Sequence, residues 1–108
     1  MNFNSKHILL EDRKVINGLE VSNNLGCMTW HEAIIACKKL GPGWRLPTID
    51  ELHILYENKE EVGGFAYFTY WSITEYDAST AFSFSFYYGS ANYYYKTYTY
   101  SVRAVRAS

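Results

Sequence analysis

Two helices are predicted by residues 29–57, which read TWHEAIIACKKLGPGWRLPTIDELHILYE. A capping box opens the first helix, because Thr29 and Glu32 reciprocally satisfy free amides of the first turn. The sequence Gly41-Pro42-Gly43 ends that helix. Between these signals the apolar residues recur at helical spacing and form one stripe, namely Trp30, Ala33, Ile34, Cys37 and Leu40.

A second capping box, formed by Thr48 and Glu51, directly follows Pro47. The residues after it again repeat at helical spacing, which predicts a second amphipathic helix with the stripe Ile49, Leu52, Leu55 and Tyr56. A polar stretch and then Gly63-Gly64 end the pattern.

The residues before the helices predict a hairpin. Lys14–Val21 consists of two β-rich pieces on either side of Asn17-Gly18, a dipeptide that favours a two-residue turn. The segment Leu25–Met28 is expected to lead from this hairpin into the first helix.

The residues after the helices predict antiparallel strands. Ala81–Phe86 alternates phenylalanine with serine, which is typical of a half-buried strand. A turn at Tyr88–Ser90 allows Ala91–Tyr95 to pair back, and a last strand follows around Val102. We therefore expect one α+β domain over residues 1–108, in which two helices pack on a small and mostly antiparallel sheet.

Composition limits the partners. The net charge is −1 and no run of Lys or Arg occurs, so nucleic acid and anionic membranes are not expected as main partners. No segment is apolar over enough residues to insert directly into a bilayer, and the short apolar run Ile8–Leu10 does not resemble a signal peptide. Cys27 and Cys37 are expected as free thiols, with a disulfide between them as the alternative.

Several residues with potential chemistry are better explained by structural roles. Arg45 and Glu75 are expected to form an ion pair or a backbone clamp, with Arg103 as a further partner, that ties the start of the second helix to the sheet. Trp44 and Trp71 are expected in the core. The histidines show no metal-site spacing: His7, His31 and His53.

The carboxyl-terminal third is rich in tyrosine and poor in charge. Tyr87–Ser101 contains seven tyrosines in fifteen residues and one charge, Lys96, whereas all eight leucines lie at or before Leu55. Antibody-like combining surfaces have this composition, because Tyr offers rigid contact area and small polar residues offer adaptable hydrogen bonds. Seven buried phenols would each need a partner, so an exposed binding surface is favoured. Self-association through this surface and a disordered tyrosine-rich tract are the alternatives.

These segments, taken in order, resemble a known family. Residues 28–57 (MTWHEAIIACKKLGPGWRLPTIDELHILYE), 70–77 (YWSITEYD) and 101–106 (SVRAVR) are similar to the C-terminal domain family of the collagen-like adhesin Lcl. They resemble more distantly the formylglycine-generating enzyme family, which shares the RLPT sequence and the acidic helix start. Both families are variants of the C-type lectin fold, so the resemblance implies a C-type lectin-like domain from about Leu25 to Arg106.

The resemblance implies the fold without the chemistry of either group. Calcium-dependent sugar binding needs clustered carboxylates, and the predicted sheet region after Gly63-Gly64 has only Glu75 and Asp77. Formylglycine formation uses a reactive cysteine pair near the carboxyl end of that family, whereas Cys27 and Cys37 precede RLPT. We therefore expect no enzyme activity, no metal and no cofactor.

Many Lcl-like domains are the variable proteins of diversity-generating retroelements, in which asparagine codons are mutated at their adenines. Such codons reach Tyr, Ser, Thr, Phe, Asp, Ala, Gly and others, but never Lys, Glu, Gln, Met or Trp. Every residue from Tyr76 to Ser101 except Lys96 belongs to the reachable set. The resemblance therefore implies a variable region at about residues 70–101.

The positions of this region divide into a scaffold and a candidate binding surface. The scaffold positions are those that the resemblance implies, chiefly residues that are apolar with the parity of a core or fixed by turn chemistry: Trp71, Ser72, Thr74, Glu75, Phe82, Phe84, Phe86, Gly89, Ala91, Lys96, Val102, Arg103 and Val105. The candidate ligand-binding positions are Tyr76, Asp77, Ser79, Thr80, Ser83, Tyr87, Tyr88, Ser90, Tyr93, Tyr95, Thr97, Tyr98, Thr99 and Tyr100.

The sequence thus predicts a ligand-binding variable protein that recognises an unknown protein or glycan target. Two alternatives stay open: a structural or adhesin subunit that self-assembles through its tyrosine-rich face, and a calcium-independent glycan-binding domain. The resemblance implies a virion or a cell surface as the location.

Overall fold

A six-stranded sheet with helices on both faces forms the described part of the chain, residues 14–63 and 68–107 of a computed structural model. Its helices are α1 (Trp30–Lys38), α2 (Ile49–Glu57) and α3 (Lys59–Val62). Its strands are β1 (Lys14–Ile16), β2 (Leu19–Met28), β3 (Thr69–Glu75), β4 (Thr80–Ser85), β5 (Ser90–Tyr95) and β6 (Tyr100–Ala107). The strand order is β1-β2-β6-β3-β4-β5, with β3 and β6 parallel and the other neighbours antiparallel, which confirms the α+β prediction.

Both predicted capping boxes are present. In α1 the amide of Thr29 donates to the Glu32 carboxylate at 3.0 Å, and in α2 the amide of Thr48 donates to Glu51 at 2.9 Å. One residue of the predicted stripe of α1 is wrong: the helix ends at Lys38, so Leu40 lies beyond it and is 43% exposed.

The predicted hairpin at Asn17-Gly18 is also confirmed. Both turn residues have positive φ, 52° and 80°, and β1 pairs with β2 directly across them. The segment Leu25–Met28, expected only as a connection, forms the last four residues of the ten-residue strand β2. Irregularities in the register of β2 against β6 interrupt the alternation there, which hides this strand from a search for period two.

Alternating residues of the central strands supply two cores on opposite faces of the sheet. On one face, Tyr70 packs with Leu52 and Leu55 of α2. On the other face, its neighbour Trp71 packs with Trp30 of α1, where the Trp71 indole donates to the Met28 carbonyl at 2.9 Å. Trp71 is fully buried as predicted. Trp44, also expected in the core, is half-buried at its margin, with the Arg106 guanidinium 4.7 Å from the ring centroid.

Arg45 and Glu75 both have structural partners, as expected, but they do not pair with each other. Arg45 forms a bidentate pair with Glu51 at 2.7 and 2.8 Å, and its backbone exchanges two hydrogen bonds with Val105 of β6. This arrangement ties the start of α2 to the sheet. Glu75 instead binds Lys96.

Arg103 forms a separate backbone clamp. Its guanidinium donates to the carbonyl of Ser22 at 2.8 Å and to that of Gly63 at 3.0 Å. The side chain is buried, which lowers the pKa of Arg103. The clamp joins β6 to the bulged part of β2 and to the end of α3, and does not involve Arg45 or Glu75.

The two cysteines are free, as expected, and differ in accessibility. Cys37 is fully buried in α1, and burial raises the pKa of its thiol to about 11, whereas Cys27 is exposed on β2. Because thiolates rather than thiols react with alkylating reagents, we predict that a native molecule takes up one label, at Cys27, at pH 8. Mass spectrometry should show the second label only after denaturation, and rapid labelling of Cys37 in the native protein would contradict the packing of α1.

Three features named in the sequence lie outside the described residues: Ile8–Leu10, His7 and Gly64.

Candidate functional site

An open groove of about 470 Å³ lies where the β3–β4 loop meets β5 and the loop after it. Its lining, here called the aromatic groove, consists of Tyr76, Asp77, Ser79, Thr80, Tyr93, Tyr94, Tyr95 and Tyr98. Seven of these eight residues are candidate ligand-binding positions from the sequence, and Tyr94 is the addition. The sequence region predicted to be variable therefore contributes every side chain of this groove.

Two stacked rings form one wall of the aromatic groove. The rings of Tyr76 and Tyr93 are parallel to within 4° and their centroids are 4.1 Å apart. Phe82 packs edge-on against both, at 5.7 and 5.8 Å, from below. Tyr76 and Tyr93 are nevertheless 55% and 46% exposed, so large aromatic surfaces are held in fixed positions while they face solvent.

A second aromatic cluster leads from the groove to the core. Tyr95 and Tyr98 pack edge-to-face at 5.7 Å, and Tyr98 in turn lies against Tyr94 and Tyr100. Tyr100 contacts the buried ring of Trp71 at 5.1 Å, and its partial burial raises the pKa of its phenol. Rings on the surface are thus supported by rings beneath them.

The carboxylate of Asp77 fixes the loop between β3 and β4. Its Oδ1 accepts four hydrogen bonds, from the amides and hydroxyls of Ser79 and Thr80, at 2.7 to 3.3 Å. The hydrogen bonds from Thr80 and Ser79 lower the pKa of Asp77 from its usual 3.8. The loop at the rim of the groove is therefore pre-formed, which reduces the ordering cost on binding.

The same hydrogen bonds predict a pH dependence of the loop. A carboxylate with a depressed pKa in the folded state stabilises that state above its unfolded pKa, and the contribution is lost as pH falls through the folded value. We expect amide exchange of Ser79 and Thr80 to accelerate as the pH drops below about 3.8, after correction for intrinsic rates. Asp77→Asn should make this acid-induced step disappear, and an unchanged step in that variant would contradict the assignment.

Lys96 anchors the groove from below. Its side chain is almost completely buried, and Nζ donates to Glu75 at 2.6 Å and to the carbonyl of Ala78 at 3.0 Å. The ammonium lies 4.5 Å from the ring centroid of Trp30, and the Lys96 carbonyl accepts from the Trp30 amide. One side chain thus joins the β3–β4 loop, the end of β5 and the start of α1.

The fourteen candidate positions are mostly exposed. Of these residues, Thr80 and Ser83 are buried and Tyr100 is half-buried, which leaves eleven that face solvent. Alternation had placed Ser83 on the open surface. It is 1% exposed instead, because it lies in the middle strand of three, opposite Trp71 and Asn92.

The candidate positions do not form one continuous site. Seven line the aromatic groove, while Ser83, Tyr88 and Ser90 line a smaller cavity of about 170 Å³ at the other end of β4 and β5. Tyr94 lines both cavities. The remaining four lie outside the two cavities: Tyr87, Thr97, Thr99 and Tyr100.

Within residues 14–63 and 68–107, no group of three or more His, Cys, Asp or Glu side chains is placed to hold a metal ion. In the same part of the chain, the helices are too short or too polar to cross a bilayer.

Known proteins share this fold. A chain from a complex of a mutant von Willebrand factor A1 domain with botrocetin has a TM-score of 0.67 to the structure, at 11% identity, over 90% of this chain and 97% of that chain. This likeness concerns the fold alone. No curated protein matches the chain. The Lcl C-terminal domain matches residues 11–106, so the chain belongs to the Lcl C-terminal domain family of C-type lectin-like domains.

Proposed function

We propose that this domain is a variable protein of a diversity-generating retroelement and binds a target protein through the aromatic groove, without chemistry of its own. The family is one of binding domains rather than enzymes. The observation that carries the proposal is the difference in exposure between the two sets of positions: candidate variable residues such as Tyr93 and Tyr95 of β5 are exposed, while the scaffold residues Phe84 of β4 and Lys96, directly after β5, are buried.

The physical character of the groove suits protein recognition. Clustered tyrosines provide large contact area with few torsions to freeze, and such residues dominate the affinity of protein interfaces. Among the eight lining residues Asp77 is the only charged one, so the groove offers no attraction to polyanions. The buried anchors beneath it, Lys96 and Trp71, keep the backbone fixed when the exposed side chains change.

Tolerance to substitution tests the platform. We predict that a displayed library with both adenines of an AAC codon randomised at Tyr76, Tyr93, Tyr95, Thr97 and Tyr98 consists mostly of folded members. These side chains are exposed, and surface changes usually alter the free energy of unfolding by less than about 0.5 kcal/mol. Protease resistance on the display particle measures the folded fraction.

A matched library provides the control. The same codon mixture at five buried positions should yield almost no protease-resistant members, since it replaces core side chains: Trp71, Phe84, Lys96, Val102 and Arg103. Equal resistance of the two libraries, or collapse of the exposed one, would count against a variable platform.

The encoding DNA tests the retroelement. We expect a near-copy of the segment for residues 70–101 that differs from it only at adenines, close to a reverse transcriptase gene. A locus without such a copy removes the retroelement from the proposal.

Light scattering over a dilution series separates target binding from self-assembly: an oligomer that dissociates when Tyr93 and Tyr98 become Ser would favour the assembly alternative.

A further inference from the structure

The free oxygen of Asp77 gives the aromatic groove a definite chemical preference. All four hydrogen bonds from Ser79 and Thr80 reach Oδ1, and within the described part of the chain no residue donates to Oδ2. The carboxylate is exposed at the rim of the groove and is the only charged group among the eight lining residues. A side chain that lines the groove therefore has a carboxylate oxygen without a hydrogen-bond donor among the described residues.

The cations near this carboxylate are already engaged. The Lys96 ammonium is buried against Glu75 and the Ala78 carbonyl, and no lysine or arginine among the described residues lines the groove. A ligand with a positive charge would therefore complement Asp77.

Tyrosine rings supply the second half of a cation site. Tyr76, Tyr93, Tyr95 and Tyr98 all line the same groove and are each about half exposed. Aromatic faces attract cations, and the planar guanidinium of arginine stacks on such faces better than a compact ammonium does. The guanidinium also offers five N–H donors in its plane, enough for Oδ2 and for neighbouring phenol oxygens together.

We propose that the aromatic groove of this chain receives an arginine side chain of the target, with its guanidinium against the tyrosine rings and an N–H donated to Asp77 Oδ2. The inference rests on the proposed binding function and names the chemistry that this particular set of groove residues selects. A different set of groove residues would select a different side chain.

Small arginine derivatives test the proposal directly. N-acetyl-arginine amide, added to the ¹⁵N-labelled domain, should cause saturable amide shifts in residues 76–80 and 93–98. N-acetyl-citrulline amide has nearly the same shape without the charge, and we expect its binding to be weaker by about tenfold or more. N-acetyl-lysine amide should be intermediate, because it keeps the charge but lacks the plane.

Two isosteric variants separate this site from general charge effects. Asp77→Asn keeps an Oδ1 acceptor for the loop, so the fold is retained while the preference for arginine over citrulline should vanish. Asp50→Asn removes an exposed carboxylate at the start of α2, outside the groove, and should leave the preference for arginine over citrulline unchanged.

Three results would overturn the inference: no saturable shifts with arginine amide, equal binding of citrulline amide, or unchanged arginine binding in Asp77→Asn. None of these results affects the protease resistance of the exposed library or the adenine-specific differences at the locus, so failure of this inference is distinct from failure of the proposed function.

Discussion

Replacement of Trp71 by alanine should lower the free energy of unfolding by about 4 kcal/mol, the range known for large aromatic residues removed from a core. The ring is fully buried between α1 and β6, and its indole N–H is bonded to the Met28 carbonyl. The substitution opens a cavity and leaves that carbonyl without its donor. Since small domains are stable by about 5 to 15 kcal/mol, urea denaturation should show a strongly reduced midpoint or no folded baseline.

Tyr87→Ala is the matched control for this prediction. The residue is also aromatic and in the same half of the chain, but it is 64% exposed on the turn between β4 and β5. Its loss should change the free energy of unfolding by less than about 0.5 kcal/mol. Similar effects of the two substitutions would show that the distinction between scaffold and surface is wrong.

Lys96→Met should lower the free energy of unfolding by about 3 kcal/mol, because hydrogen bonds to charged groups and a desolvated cation–π contact each contribute about 1 to 3 kcal/mol. Methionine retains much of the buried volume, so the loss reports the ammonium itself. The remaining carboxylate of Glu75 is 56% exposed and can be rehydrated, which keeps the effect below that of an isolated buried charge.

The same substitution should loosen the aromatic groove. Without Nζ, the Ala78 carbonyl and Glu75 lose their common donor, and amide exchange in residues 76–80 should accelerate more than exchange in α2. Lys39→Met, at an exposed lysine after α1, serves as the control and should leave both stability and exchange unchanged. A loss below about 1 kcal/mol for Lys96→Met would contradict its role as an anchor.

Local signals made much of the fold predictable. The capping boxes at Thr29 and Thr48 and the turn at Asn17-Gly18 are determined by a few adjacent residues, so the sequence contains all the information they require. The extent of β2 was not predictable, because bulges against β6 break its period. The pairing of Arg45 with Glu51 was not predicted, because the capping box already gives Glu51 a partner and does not indicate that its carboxylate also accepts from Arg45.

The candidate site was predictable where residue type alone indicates that a side chain is exposed. Tyrosine and small polar residues pointed to seven of the eight lining positions of the aromatic groove. The alternation of residues along β4 wrongly predicted that Ser83 is exposed. This strand lies between β3 and β5, and neighbouring side chains bury both of its faces at Ser83. The sequence prediction also left out Tyr94, which lines both cavities.

The place of β6 between β2 and β3 has a consequence for biosynthesis. The strand that completes the middle of the sheet is the last of the six to be translated, and its partner β2 lies far back in the chain. A nascent polypeptide that stops before β6 lacks the strand that connects β2 to β3, so its two groups of strands cannot form one sheet. Formation of the complete sheet therefore has to wait until β6 has been synthesised.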